Sequence, residues 1–218
     1  MIADVVKLVK SPTKDQLIKI VKELSPNSKY ALLGNPDKIL LHELSKRLDD
    51  NSVVVEIGIY LGASSAIIAH ANSNLEIHSY DLFDNYAYDD THELMMNNAF
   101  GSMKDRTLEN VASLLTAYPN ITLHQVEYLK EPDFDKQIDL LVEDASHLDP
   151  QLSSSLNAWL PKVKVNGIVL IHDYRPWLQE GQQRHFIDVI RYVNMLSETS
   201  GWKFYGGVGS YAVFERIA

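Results

Sequence analysis

The rhythm of apolar positions changes near residue 50. Before it, apolar residues recur at helical spacing: Leu17, Ile18, Ile20, Val21 and Leu24 within Asp15–Leu24, then Ile39, Leu40, Leu41, Leu44 and Leu48 after Asn35-Pro36-Asp37. Recurrence at i, i+3 and i+4 predicts amphipathic helices. Ser11-Pro12-Thr13 and Ser25-Pro26-Asn27-Ser28 interrupt them, and Pro36 suits a first helical turn. From Ser52 onward, short apolar runs alternate with helical patterns. Strands are predicted at Val53–Ile57, Leu75–Tyr80, Ile121–Val126, Ile138–Glu143 and Val165–Ile171, with helices at Ala63–Ala71, about Thr107–Ala117 and Pro150–Leu160. Repeated βα units call for a mostly parallel sheet with helices on both faces. After a helix near Arg184–Leu196, strands at Trp202–Tyr205 and Tyr211–Glu215 flank Gly206-Gly207-Val208-Gly209. That is a hairpin, so the last strand should run antiparallel. The expected organisation is a helical cap over residues 1–50 and an α/β domain over 51–218. Leu82 to about Arg106 is the longest irregular insert. Its tyrosines and methionines could close over a ligand, and a surface meander is the alternative.

A chain of 218 residues fits one domain with a small appendage. Cysteine is absent, which excludes disulfides, a thiolate nucleophile and a Cys zinc site. A formal charge of −9, with no basic stripe, argues against a nucleic-acid partner, because phosphate contacts need a basic face. Met1–Lys10 is broken by charges and too short for a signal sequence, and no apolar run approaches the roughly 20 residues that span a bilayer. The expectation is a cytoplasmic protein without a membrane partner. A homo-oligomer is compatible with the sequence but not argued by it.

The most informative segment is Val53-Val54-Val55-Glu56-Ile57-Gly58-Ile59-Tyr60-Leu61-Gly62-Ala63-Ser64-Ser65. It reads as a buried strand turning sharply into a helix beside a ligand. Gly58 and Gly62 are expected to let the backbone approach that ligand, where a Cβ would stand in the way. Glu56 argues for a ligand carrying positive charge rather than for pyrophosphate alone. In an open α/β sheet, ligands bind beyond the carboxyl ends of the strands. Those ends carry Glu56, Asp81, Glu127, Asp144 with His147, and His172-Asp173-Tyr174, all directed at one edge. Asp81 follows Gly58 at about the 20-residue spacing at which a carboxylate receives ribose hydroxyls.

This constellation resembles the class I S-adenosylmethionine-dependent methyltransferases, Rossmann-like proteins with a seven-stranded sheet and an antiparallel last strand. The matching motifs are Val55-Glu56-Ile57-Gly58 with Gly62-Ala63-Ser64, then Glu143-Asp144-Ala145-Ser146-His147, then Ile171-His172-Asp173-Tyr174. They look most like the branch with D-G-D-H-like and H-D-Y strand ends. The resemblance implies that Glu56, Gly58, Tyr60 and Gly62 surround the methionine portion of adenosylmethionine and that Asp81 takes the ribose. It places Glu127 and Tyr128 near the adenine and Asp144 with Ala145 under the sulfonium. Ser64 and Leu82 complete the expected cofactor set. Three positions depart from the family pattern: Tyr60 and Val126 stand where a glycine is common, and Ala145 replaces the glycine after the acid.

Adenosylmethionine carries a sulfonium, an ammonium and one carboxylate, so an acidic rim with a helix amino end is complementary to it. The expected reaction is O-methylation of a small-molecule hydroxyl, sugar or phenolic. His147 and His172, with Asp173, are the candidate catalytic residues, because a histidine near its reference pKa suits general-base work near neutrality. The resemblance also implies a divalent cation, Mg²⁺ or another, on Asp144 and Asp173, which would lower the acceptor's pKa. Tyr174 falls where catechol-type enzymes place an asparagine ligand. Trp177 is a pocket candidate; Trp159, His70, His92 and His185 read as packing or surface residues. Two other readings share the fold. A nicotinamide-dependent oxidoreductase would want G-x-G-x-x-G at the loop, and Glu56 would repel its pyrophosphate. A non-catalytic module could keep the cofactor fold within a biosynthetic assembly.

Overall fold

A computed structural model of the chain describes residues 1–30, 32–83, 107–126 and 134–218. Three helices come first: α1 (Ile2–Lys10), α2 (Lys14–Glu23) and α3 (Asn35–Ser45). The alternating part comprises β1 (Val53–Ile57), α4 (Ala63–Ala71), β2 (Glu76–Asp81), α5 (Leu108–Leu114), β3 (Ile121–Gln125), β4 (Ile138–Glu143), α6 (Gln151–Trp159) and β5 (Val163–Ile171). Then follow α7 (Ile187–Ser197), β6 (Trp202–Val208) and β7 (Tyr211–Arg216). One seven-stranded sheet has the order β3-β2-β1-β4-β5-β7-β6. The first five strands pair in parallel, and β7 runs antiparallel to both β5 and β6. This is the Rossmann-like architecture expected from the motifs. Among the described residues no helix is long and apolar enough to cross a membrane.

Covering both faces buries the central strands along their length, as β4 illustrates with every residue buried, Asp139 and Glu143 included. One face carries Val54, Leu140, Val142, Leu170 and Val213 under α1, α3 and α4. The other carries Val55, Ile57, Leu141, Val169 and Phe214 under α6 and α7. Ile2, Val5, Ile39, Leu40 and Leu44 of the first fifty residues belong to the former core, so the N-terminal helices share it with the sheet. Helix α2 sits further out: Ile20 is buried, whereas Ile18 and Val21 are exposed.

The hairpin differs from the sequence expectation. Gly206 and Gly207 lie inside β6, paired with Val213 and Ala212, and the turn falls at Gly209-Ser210. A register shift between Phe204 and Gly206 (φ +93°) marks a bulge, a role for which glycine is suited. A Cβ on Gly207 would lie 3.3 Å from the Tyr174 ring, so the strand is kept bare where that ring crosses it.

Candidate active site

The parallel strands bring their carboxyl ends to one edge, and the loops leaving them pack on each other. Gly58 leaves β1 at φ +80°. A Cβ there would run into the Asp144 carbonyl and lie 2.6 Å from the Ala145 Cα. Gly62 (φ +73°) begins α4, and a Cβ there would lie 2.8 Å from the Leu115 side chain. Both glycines are therefore required by the chain's own packing and backbone angles. A side chain at either position would meet β4's exit loop or α5, so glycine is demanded there before any ligand is considered.

Asp81, at the end of β2, is buried and organises this edge. Its Oδ2 accepts from the amides of Ile59 (2.8 Å) and Tyr60 (3.1 Å), and its Oδ1 accepts from Phe83 (3.0 Å). Tyr60 (φ +52°) and Phe83 (φ +49°) adopt left-handed backbone that such residues rarely adopt. The carboxylate thus holds two adjoining loops in place, a structural task that its spacing from Gly58 did not announce.

Glu56 is fully buried in β1. Its Oε2 receives the hydroxyl of Ser65 at the start of α4, and Ser65 lies 2.9 Å from Ser79 on β2. Its Oε1 has no hydrogen-bond partner among the described residues. Burial pushes the Glu56 carboxyl up to about 7 against the lowering effect of Ser64 and Ser65. Glu143, on the opposite face of the sheet, is also raised to about 7 by burial, although it accepts from the Ser155 hydroxyl at 2.6 Å.

An outer polar cluster lies beyond β4 and β5. Nε2 of His147 is 2.8 Å from Oδ2 of Asp173, and Nδ1 of His172 is 2.8 Å from Oδ1 of Asp144 and 3.5 Å from Oδ2 of Asp173. Arg175 closes on the other Asp173 oxygen at 2.5 Å and lies over the Phe186 ring. Burial alone would disfavour the His172 cation, but Asp144 and Asp173 outweigh it and push its pKa up to about 10. His147 is raised as well, the Asp173 carboxylate overcoming desolvation. Asp173 is held well below the usual carboxylate range because the two imidazoles outweigh its burial. A histidine near its reference pKa was the sequence expectation; the neighbouring acids instead favour both imidazolium forms. The His147 side chain is 39% exposed and that of His172 only 8%, so His147 is the one that faces solvent at the lip.

The sequence model of the family described as "Methyltransferase domain" matches residues 55–174, more than half of the chain. The chain belongs to this methyltransferase family. Its sheet order and motifs are those of class I adenosylmethionine-dependent members. Solved structures agree in fold. The O-methyltransferase TomG from Streptomyces achromogenes, involved in tomaymycin synthesis and crystallised with SAM, is 16% identical, with a TM-score of 0.58 over 85% of this chain and 82% of that one. An rRNA methylase from Streptococcus thermophilus is 13% identical with TM-score 0.58, covering 86% of this chain and 100% of that one. A methyltransferase from Geobacter sulfurreducens is 14% identical with TM-score 0.58, over 95% and 93%. A search of curated protein sequences finds no match.

On this methyltransferase edge the structure brings together Glu56, Gly58, Tyr60, Gly62, Ser64, Asp81, Asp144, Ala145, His147, His172 and Asp173. Ser64 is buried at the start of α4 and lowers the Glu56 pKa against the effect of burial. Leu82 is half-buried against the α6–α7 core. Tyr174 is buried, its ring edge-on to Phe204. Trp177 is 60% exposed on the loop after β5. Glu127, Tyr128, His92 and nearly all of the Leu82–Arg106 insert lie outside the described residues. His70 packs edge-on to Tyr118, as a structural histidine would. Sequence reasoning missed Ser65, Arg175, Phe186, Asp37 and Tyr211. Ser65 was open to discovery, standing nine residues after Glu56 on the same motif.

Proposed function

We propose that this methyltransferase transfers a methyl group from adenosylmethionine to a hydroxyl of a small molecule, sugar or phenolic, with His147 receiving the hydroxyl proton. The observation that carries the reading is the pair of His147 and Asp173, 2.8 Å apart, with the histidine at the exposed lip and the acid buried behind it. The base is the neutral form of His147, whose share grows as pH rises, and the buried carboxylate orients the imidazole and stabilises the imidazolium it becomes on taking the proton. A neutral hydroxyl needs such help more than an amine does.

The residues present fit the cofactor. Glu56 Oε1 is a buried acceptor still without a partner, suited to an ammonium, and the edge is rich in carboxylates suited to a sulfonium. Gly58, Tyr60, Gly62 and Ser64 would surround the methionine portion, with Asp144 and Ala145 beneath the sulfur and Glu127 and Tyr128 toward the adenine. Asp81 and Leu82 would border the ribose, Asp81 also holding the loop that frames it. When bound, adenosylmethionine supplies a methyl carbon already activated for in-line displacement. The chain's task is then to align the acceptor, exclude water and hold the proton.

A divalent cation, Mg²⁺ or a relative, is a second proposed component. Asp144, His147 and Asp173 each place one ligand atom within 4.8 Å of the others. Two carboxylates and an imidazole suit Mn²⁺ as well as Mg²⁺. Arg175 and His172 already neutralise these acids, so a cation would compete with them. The charge of −9 supports a small acceptor over RNA, and we infer a cytoplasmic setting and a division of labour between the cap of residues 1–50 and the domain of 51–218.

The test pairs thermal shift with a methyl-transfer assay. Adenosylhomocysteine should raise the melting temperature and NAD should not. Among catechols, flavonoids, free sugars and ribosomal RNA, label from adenosylmethionine should pass to a hydroxylated small molecule. Transfer to RNA alone would overturn the acceptor class, and stabilisation by NAD alone would overturn the cofactor.

A further inference from the structure

Asp37 lies far from the motifs in sequence yet reaches the edge that carries them. It stands in the first turn of α3, 2% exposed, and its Oδ2 accepts from the Gly34 amide at 3.1 Å, as a helix-start acid does. Its Oδ1 does something else. It accepts from the amide of Ser210, at the β6–β7 turn, at 2.6 Å. The neighbouring Gly209 has φ +57°, and a Cβ there would lie 2.8 Å from the Asp37 Cγ and overlap Oδ1. The turn is thus shaped around this carboxylate.

The same turn grips the end of β5 on both sides of Asp173. The Ser210 carbonyl accepts from the Tyr174 amide at 2.9 Å, and the Tyr174 ring lies over Gly207. On the other side, the Tyr211 ring sits edge-on to His172, with centroids 4.7 Å apart. Between these two anchored neighbours, Asp173 has left-handed backbone, φ +56°, which a non-glycine residue keeps only when its surroundings impose it. That backbone is what places the Asp173 carboxylate 2.8 Å from His147.

We infer that Asp37 is a positioning residue for methyl transfer: through Ser210 it fixes the hairpin turn that holds Asp173, and hence His147, in working geometry. This rests on the proposed role of His147 and Asp173. It assigns to the N-terminal helices a task beyond covering the sheet.

The experiment uses the full chain with and without adenosylhomocysteine, and compares Asp37→Ala with Asp37→Asn. Asparagine keeps an acceptor for the Ser210 amide. In Asp37→Ala the Cα and Cβ resonances of Asp173, which report its backbone angle, and the ring resonances of His147 should shift. Methyl resonances of Val55 and Leu141 in the distant core should not. Turnover should fall at least tenfold with the dissociation constant for adenosylhomocysteine within about twofold, and Asp37→Asn should restore most of both readouts. A folded Asp37→Ala protein with unchanged Asp173 and His147 resonances would overturn the inference, leaving Asp37 as a helix cap alone. So would an asparagine variant as impaired as the alanine one. If Asp37→Ala does not fold, Gly209→Ala attacks the same contact from the hairpin side. The same local shifts are then expected, and their absence counts against the inference. The resonances decide the matter even if the wild-type chain methylates no acceptor offered, an outcome that would count against the function alone.

Discussion

His147 Nε2 and Asp173 Oδ2 lie 2.8 Å apart, and the two residues come from the exits of different strands, β4 and β5. Because β4 and β5 are adjacent and parallel, with Glu143 opposite Ile171, both exits open at the same height. The pair is therefore a consequence of register. If His147 takes the acceptor's proton, His147→Gln should lower turnover by about 10²- to 10⁴-fold. Affinity for adenosylhomocysteine, measured by calorimetry, should stay within a few-fold. Unchanged turnover would remove His147 from the reaction.

Glu56 gives a pH prediction. Its carboxyl is raised from 4.5 to about 7 by burial, so the folded state favours the protonated form. A raised acid contributes stability that is fully present below the ordinary value and is lost as pH rises through the folded one. Glu56→Gln does not titrate. The melting temperature of this variant, relative to wild type, should therefore climb between pH 5 and pH 8. A difference that stays flat over this range would mean that Glu56 does not titrate in it. The same variant should bind adenosylhomocysteine more weakly if Oε1 receives the ammonium.

The strands that could be bounded from sequence were those whose environment is uniform. β1 and β4 begin and end where the sequence pattern places them, because each is buried on both faces between parallel neighbours. The hairpin misled for a physical reason: a glycine cluster reads as a turn, but Gly206 and Gly207 serve a bulge and a ring crossing within β6. At the site, residue types were legible while their partners were not. Asp81 was recognisable as an acid after a strand, yet its three amide partners follow from how two loops close. Asp37 was readable only as a helix start, since the contact to Ser210 spans 173 positions. The raised pKa of His172 likewise depends on Asp144, which another strand supplies.

Asp81 separates structural from ligand-binding roles. Its carboxylate satisfies three backbone amides, and a hydrogen bond to a charged group contributes about 1.5–3 kcal/mol net after exchange with water, less where the bonds are not independent. Asp81→Ala should lower stability by a few kcal/mol on this basis, measured by urea denaturation, and weaken adenosylhomocysteine at least tenfold. Asp81→Asn keeps an acceptor for Ile59 and Tyr60 while losing the one for Phe83. It should recover much of the stability. If it also recovers full affinity, the negative charge is not what the ribose needs, and the loop geometry alone accounts for Asp81.

Metal dependence turns on a competition that the structure makes explicit. Both oxygens of Asp173 are engaged, by His147 with His172 and by Arg175, and Oδ1 of Asp144 is engaged by His172, so a divalent cation would compete with these partners at Asp173 above all. A cation that binds shares these carboxylates with cationic partners, which makes binding weaker than at an acid cluster left open. Chelator should abolish transfer and Mg²⁺ or Mn²⁺ should restore it if the ion is part of the machinery. Calorimetry should then show that Asp144→Asn loses the metal. Removing Arg175, whose guanidinium neutralises Asp173 from the side away from His147, should tighten binding of the ion: Arg175→Ala frees an acceptor oxygen without touching the other candidate ligands. Full activity in chelator, with no heat on titrating either ion, would leave the imidazole of His147 as the group that handles the proton.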